Sequence, residues 1–527
     1  MTNDILENFE VEGDYVPLNE HNISTVKERL NGVGKGFCLA KWTQITLHLG
    51  TGMIHSCHHP TPHKIPLAEI KENPHNLLNT STMKSARTDM LNNIKTKECD
   101  YCWRIEEGGE NSDRYLKSLE RWALTDFDRI SSLKGSENVH PNYLEVSFSN
   151  ICNMKCSYCG PEFSSKWVED LKKNGPVIIN KEIGEEQWTN GWQDLDTLNF
   201  KNKEVNPYVE AFWEIFPEVY KHLKVYRITG GEPLMSKELF KTLDWIIENP
   251  NTELDFAINT NLSVPDKLWD RFVEKISIIK SGGYVKKLTI FTSIEGWEER
   301  AVYTRNGLDF DLLKKRYEQL CSLGNIRTVI MAAFNVLSIT SFGKMLEWHL
   351  ELKKKYNSNN SILKAEMESG FKLMKGLSSE ERFAHSNDHV ASVGLDIPYL
   401  RHPTVLDAQI CSDQMVEDHL IPLMDYMAEN TTDNKWSAHQ GFETYEMEKL
   451  RRIVLHRIFY KRKMNPSRKD IDIQRAGFYD FVNDLDKRNG TNFLEVYPEM
   501  EEFYNLCKST KETLKQEHDK EAHDEKD

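Results

Sequence analysis

Seven of the ten cysteines of this 527-residue chain fall at or before position 159, and their spacing suggests metal chemistry rather than disulfides. Cys152, Cys156 and Cys159 follow one another as Cys-x3-Cys-x2-Cys within YLEVSFSNICNMKCSYCG. Three thiolates on one short loop can hold three corners of a cuboidal iron–sulfur cluster. No fourth cysteine lies nearby, so one iron would stay open to a substrate or cofactor, the mark of a catalytic metal. The competing reading is a zinc site that borrows a distant fourth ligand. Cys38, Cys57, Cys99 and Cys102 form a second set, spaced Cys-x13-Gly-x4-Cys around Gly52 and then Cys-x2-Cys. The stretch between Cys38 and Cys57 reads as a β-hairpin turning at Gly50-Thr51-Gly52, which would bring those two thiols together. Four thiolates make a closed site, for zinc or for an iron–sulfur cluster. His55, His58, His59 and His63 crowd Cys57. With four cysteines sufficient, they read as surface residues. Cys321, Cys411 and Cys507 stand alone and read as small buried hydrophobes, with Cys411 the best outsider as a redox thiol.

The loops need elements to aim them. YLEVSFS reads as a buried strand leading into the cysteine loop. VYRITGGEP (Val225–Pro233) is a second strand, running into Gly230 and Gly231, which permit close backbone approach. Glu232 offers a carboxylate to an ammonium group, and Pro233 stiffens the turn. Strand and helix patterns then alternate. Strands are expected at 254–262, 286–296 and 327–338, helices at 266–280, 309–323 and 342–356, and a weaker strand at 362–369. Such alternation implies parallel strands with right-handed crossovers and a complete or partial barrel whose site lies at the C-terminal strand ends. Thr260, Asn261, Ser293, Glu295 and Asn335 fall at those ends.

Cys-x3-Cys-x-aromatic-Cys after a strand, with Tyr158 in the aromatic slot, resembles the cluster loop of the radical S-adenosylmethionine (SAM) superfamily. Gly230-Gly231-Glu232-Pro233 is similar to that family's motif for the methionine amino group. The resemblance implies an α/β fold, a partial (β/α)6 TIM-like barrel. It implies a [4Fe–4S] cluster on Cys152, Cys156 and Cys159, whose fourth iron is chelated by SAM. One electron then cleaves SAM to a 5′-deoxyadenosyl radical, which abstracts hydrogen from a substrate. It places Ser293 on the cofactor ribose or carboxylate and Arg305 on the carboxylate, and makes Tyr158, Gly230, Gly231, Glu232, Pro233, Thr260, Asn261, Glu295 and Asn335 cofactor-binding candidates. Cys38, Cys57, Cys99 and Cys102 resemble the twitch type of auxiliary-cluster module found in phage and bacterial radical SAM proteins. Here the module precedes the barrel. A second [4Fe–4S] cluster is expected there, with structural zinc as the alternative. The expected domains are a twitch-like α+β module (1–135), the barrel (136–370) with an aromatic-rich insert (164–223), a mainly helical extension (371–508) and a disordered tail (509–527).

Length and charge bound the rest. The net charge is −15, which argues against a general nucleic-acid coat. No run of 18 or more uncharged apolar residues exists, so no membrane-spanning helix is expected. The acidic N-terminus lacks a secretion signal, and a reducing cytoplasm is expected, that of the host if the chain is phage-encoded. The expected partners are a reductant such as flavodoxin or ferredoxin and an unidentified substrate, a peptide or protein first. A nucleotide or small metabolite is the alternative, as is a zinc-stabilised binding protein without enzymatic activity. Trp167, Trp188, Trp192, Phe212, Trp213 and Phe216 of the insert build core or line a pocket. The helix at 446–463 carries a Met447, Leu450, Val454 and Ile458 stripe. A basic island at 450–469 reads as a solvated face, or as a docking surface for an acidic partner.

Overall fold

Alternating residue character builds the strands. In Tyr143–Ser147 the side chains of Leu144 and Val146 are fully buried, while Tyr143 and Glu145 are half-buried. Val225–Thr229 repeats the pattern with Tyr226 and Ile228, the two-residue period of a strand with unlike faces. The computed structural model describes residues 4–11, 16–189, 205–324, 326–357, 393–400, 402–431, 440–463 and 468–524. In chain order the strands are β1 (Gln44–His48), β2 (Met53–His55), β3 (His63–Lys64), β4 (Tyr143–Ser147), β5 (Lys155–Cys156), β6 (Val177–Ile179), β7 (Gln187–Thr189), β8 (Val225–Thr229), β9 (Asn251–Thr260), β10 (Val285–Ser293), β11 (Arg305–Asn306), β12 (Arg327–Met331) and β13 (Val393–Asp396). The helices that bear on the site are α1 (Ser165–Asn174), α2 (Pro207–Val219), α3 (Lys237–Glu248), α4 (Asp266–Ser281), α5 (Phe310–Ser322), α6 (Phe342–Asn357), α7 (Thr444–Lys463), α8 (Arg468–Asn489) and α9 (Glu501–Asp524).

Strands β4, β8, β9, β10, β12 and β13 alternate with helices along the chain. Their ladders are parallel. This is an α/β fold of the partial TIM-like barrel class, followed by a helical C-terminal region. The sixth strand is β13. The weaker candidate at 362–369 lies outside the described residues.

The residues group into two compact units. The first is Met1–Ser149, Thr197–Ile258 and Ser281–Lys287. Within it β9, β8, β4, β1, β2 and β3 are successive neighbours. The expected hairpin is β1–β2, antiparallel with Thr46 opposite His55, and Gly52 at φ +64° makes its turn. A feature not expected is that β1 also pairs in parallel with β4, Ile45 opposite Leu144. The hairpin and β4 thus lie in one compact unit that continues past position 135. Phe37, Trp42, Leu119, Leu124 and Ile130 form the core of the N-terminal region. Phe212, Trp213 and Phe216 of α2 pack in a ring cluster with Phe148, Tyr226 and Trp245, so these insert aromatics build core.

The second unit is Asn150–Asp196, Asn259–Lys280 and Leu288–Asp527. Here β12 lies between β10 and β13. Strand β5 pairs with β11, and β6 with β7. Trp167 is fully buried and Trp188 is exposed; Trp192 lies outside the described residues. Helices α8 and α9 pack through Phe478 against Phe503 and Tyr479 against Tyr504.

The segment from Ser509, expected to be disordered, is helical as the second half of α9. Few apolar residues remain there, and ion pairs anchor it instead: Lys511 to Asp480, and Lys515 to Glu182. In α7, Leu450 and Val454 are buried as expected, and so is Arg457, whose guanidinium donates to the Cys411 carbonyl. The basic stretch is therefore not a wholly solvated face; side chains 458–469 lie outside the description. No helix among the described residues is long and apolar enough to cross a membrane.

Candidate active site

The cysteine loop begins directly after β4 and is held from several sides. The Ser165 hydroxyl accepts from the Cys152 amide at 3.2 Å and donates to its carbonyl at 3.1 Å. The Trp167 indole donates to the Cys156 carbonyl at 2.8 Å. Ser164 caps α1 and also donates to the Met154 carbonyl at 2.7 Å. Asn261 donates to Asn153 Oδ1, and Asn153 donates to the Ser263 carbonyl. Strand β11 closes the loop by backbone pairing, Arg305 opposite Cys156.

Arg305 is 6% exposed, and its guanidinium is fully engaged. Nε donates to Glu295 Oε2 at 2.9 Å, Nη1 to Cys156 Sγ at 3.6 Å, and Nη2 to the Tyr158 hydroxyl. Burial pushes the Glu295 carboxyl up, and Arg305 counters it. Burial also raises Cys156, against the pull of Arg305. Cys159 is raised further, by burial and then by Cys156 and Cys152. Three thiols, two buried and Cys159 half-buried, that repel one another when ionised call for a cation among them. An all-sulfur donor set suits iron or another soft metal. The structure thus groups Tyr158, Glu295 and Arg305 with Cys156 around one guanidinium.

The other expected site residues are placed as follows. Gly230 has φ +117°, and a Cβ there would lie 2.5 Å from Ser147 Oγ and 3.1 Å from the Ser149 carbonyl. The Gly231 amide donates to that same carbonyl at 3.2 Å. Glu232 is buried, and its carboxylate caps the short 3-10 turn Pro233–Met235 through the Leu234 amide. Thr260 is buried and accepts from the Leu262 amide. Ser293 ends β10 opposite Met331. Asn335 is fully buried and caps its own turn in a capping box with Ser338, which leaves its amide serving the backbone.

In the first unit, Cys38, Cys57, Cys99 and Cys102 line one small cavity with Lys41 and Arg114. The thiols of Cys38, Cys57 and Cys102 are each pushed up to about 12, first by burial and then through one another or Cys99. Lys41 is 1% exposed and pairs with Glu98 at 2.5 Å. Cys99 and Cys57 also favour its charge. Among the described residues, no three sulfurs of either cysteine set lie all within 4.8 Å of one another. Three of the nearby histidines are not free surface residues. His55 is buried, bonded to the Cys57 carbonyl and 3.0 Å from His48 Nε2. His59 reaches Asp113 at 2.6 Å, and His63 reaches Thr80 at 2.9 Å. Each of these three rings has a local polar partner in the folded chain, whereas His58 is exposed, as expected.

Residue-type reasoning missed one polar face. Glu145 and Arg227 are in register on β4 and β8. Thr229 donates to Glu145 Oε1 at 3.2 Å and Tyr143 to Oε2 at 3.1 Å. The signal was present, since two strands expected to be covered on both faces carry polar residues at every second position.

The family model of the radical SAM superfamily matches residues 146–349. Curated proteins named GTP 3′,8-cyclase are also similar. That of Campylobacter lari is 28% identical over 123 residues, covering 23% of this chain and 28% of that protein. That of Pasteurella multocida is 25% identical over 211 residues, 39% of this chain and 49% of that protein. That of Clostridium botulinum is 26% identical over 254 residues, 47% of this chain and 64% of that protein. The chain thus spans between about a quarter and two thirds of the length of these relatives. No solved structure gives a significant match.

Proposed function

Because this chain carries a radical SAM superfamily domain and is an enzyme of that class, we propose that it acts on a nucleotide, with Cys152, Cys156 and Cys159 holding the [4Fe–4S] cluster. When bound, the cluster and SAM supply the 5′-deoxyadenosyl radical that abstracts hydrogen from the substrate. The observation that carries this reading is the cysteine loop itself: two buried thiols and a half-buried third on one braced loop, with a guanidinium against Cys156. Arg305 and Tyr158 position that loop. Gly230–Pro233 recognise the methionine amino group, with Thr260, Asn261 and Ser293 as further cofactor contacts.

The substrate class rests on the names of the relatives, GTP 3′,8-cyclases, and on the polar face of Glu145, Arg227 and Thr229. That face suits a hydrogen-bonding ligand with charged groups. The peptide expected first has no support among the relatives and is set aside.

The N-terminal cysteines hold a second [4Fe–4S] cluster in this reading, with Lys41 and Arg114 balancing its charge. Its rival is zinc. Iron and sulfide counts separate the two.

Anaerobic reconstitution should give about eight irons and eight sulfides per chain. Replacing Cys152, Cys156 and Cys159 with Ala should leave about four and abolish 5′-deoxyadenosine formation from SAM. GTP should be consumed only by the unsubstituted protein. Continued 5′-deoxyadenosine formation by the triple variant would reject the cluster assignment; SAM cleavage with every nucleoside triphosphate left intact would reject the substrate class alone.

A further inference from the structure

A further group of ligand-type side chains lies in the first unit. His75, His140 and Glu218 present one ligand atom each, all within 4.8 Å of one another. His75 Nε2 is 3.4 Å from Glu218 Oε2, and His140 Nε2 is 3.1 Å from Glu218 Oε1. A tetrahedral metal with bonds of about 2.0–2.2 Å to nitrogen and oxygen sets its ligand atoms roughly 3.4 Å apart, close to the spacing found. The side chains come from three separate segments. His75 sits on the 3-10 turn Pro74–Leu77, whose start is capped by Asn73. His140 lies three residues before β4, and Glu218 is in the last turn of α2. His222, four residues past Glu218, stacks on the His140 ring at 4.7 Å and 4°, which fixes that ring's plane.

We propose that His75, His140 and Glu218 form a binding site for a divalent transition metal of the zinc class. Two imidazoles and a carboxylate are a borderline donor set suited to Zn2+ and unsuited to an iron–sulfur cluster, which takes thiolates. His140 and His222 precede β4 and β8, so the site lies at the N-terminal ends of those strands. The cysteine loop and Gly230–Pro233 follow their C-terminal ends. In a barrel the N-terminal end is the end of stability rather than chemistry. The metal therefore ties the turn at His75 to the start of β4 and the end of α2, and the site is independent of the radical reaction.

The test uses anaerobically reconstituted, iron-loaded protein dialysed against Zn2+ at micromolar free concentration. The unsubstituted protein should retain one zinc per chain with its iron count unchanged, and its Tm should rise on zinc addition. Glu218→Gln, at a half-exposed position where the fold is not at stake, should weaken zinc at least tenfold and remove the Tm response; His140→Ala should do the same. Equal zinc retention by both variants, or no zinc on the unsubstituted protein, overturns the proposal. Zinc uptake accompanied by iron loss identifies the cysteine sites as its source and overturns it as well.

Discussion

Arg305 joins a buried carboxylate, a phenol and a cluster-loop thiol through one guanidinium. Lys cannot reproduce that fork of donors. Arg305→Lys should keep the fold while lowering loop iron occupancy and cutting 5′-deoxyadenosine formation at least tenfold, read by iron analysis and product chromatography. Full activity in the variant would show that the guanidinium does not position the loop. The cysteines and Gly230 were legible from the sequence because their chemistry is local: spacing on one loop, and a backbone only glycine adopts freely. The role of Arg305 was not. Its contact with Cys156 spans 149 residues and exists because β5 and β11 pair, two two-residue strands with no periodicity to read. At Asn335 the element differs from its pattern: the strand expected to reach 338 ends at Met331, and Asn335 caps the turn that follows.

Among the elements, β13 is tied to a buried charge. Val393–Asp396 has the short sequence VGLD, too brief and too poor in β-branched residues to stand out. Its Leu395 amide donates at 2.7 Å to Glu446 of α7, whose other oxygen meets Lys353 of α6 at 2.6 Å. Both ionised side chains are fully buried. Glu446→Ala should cost about 3–5 kcal/mol by stranding Lys353, whereas replacing both residues with apolar side chains of similar volume should cost far less; denaturant midpoints separate the two. A second clasp ties α1 to α8: Asp170 meets Lys155 at 2.5 Å and Arg488 at 2.7 Å, all three buried. Burial works against the Asp170 carboxylate, but its bonds to Lys155 and Arg488 prevail and hold it below the usual range. A carboxylate depressed in the folded state adds stability that is fully present above its unfolded value, about 3.9, and is lost as pH falls through the folded one. Stability should therefore fall below about pH 4, and Asp170→Asn should flatten that slope in denaturant titrations. A fall of equal steepness in the variant would assign it to other groups.

For the whole molecule, the longer strands β4, β8, β9, β10 and β12 and the helices α4, α5 and α6 were legible because each has its own period; the short strands between them were not. The grouping of residues was not, since each compact unit draws on separate stretches of chain and no local pattern records that. The N-terminal region was expected to be a module preceding the barrel, with no strand pairing anticipated between the two. Instead β1 pairs with β4, so loss of the four-cysteine site should be felt in the sheet. Cys99→Ala with Cys102→Ala should remove about four irons and lower the Tm, while leaving iron on the loop of Cys152, Cys156 and Cys159. An unchanged Tm would mean that the site is decorative to the fold.

The parallel pairing of β1 with β4 also orders events at the ribosome. β1 is made almost a hundred residues before the strand it must lie beside. Until then the hairpin waits with one edge bare, the kind of surface on which nascent chains snag one another. Cys38, Cys57, Cys99 and Cys102 have all emerged before β4 is made. With the proposed second cluster on that quartet, early loading would steady the waiting hairpin, and cells starved of iron should accumulate this protein as aggregate rather than as an inactive soluble form.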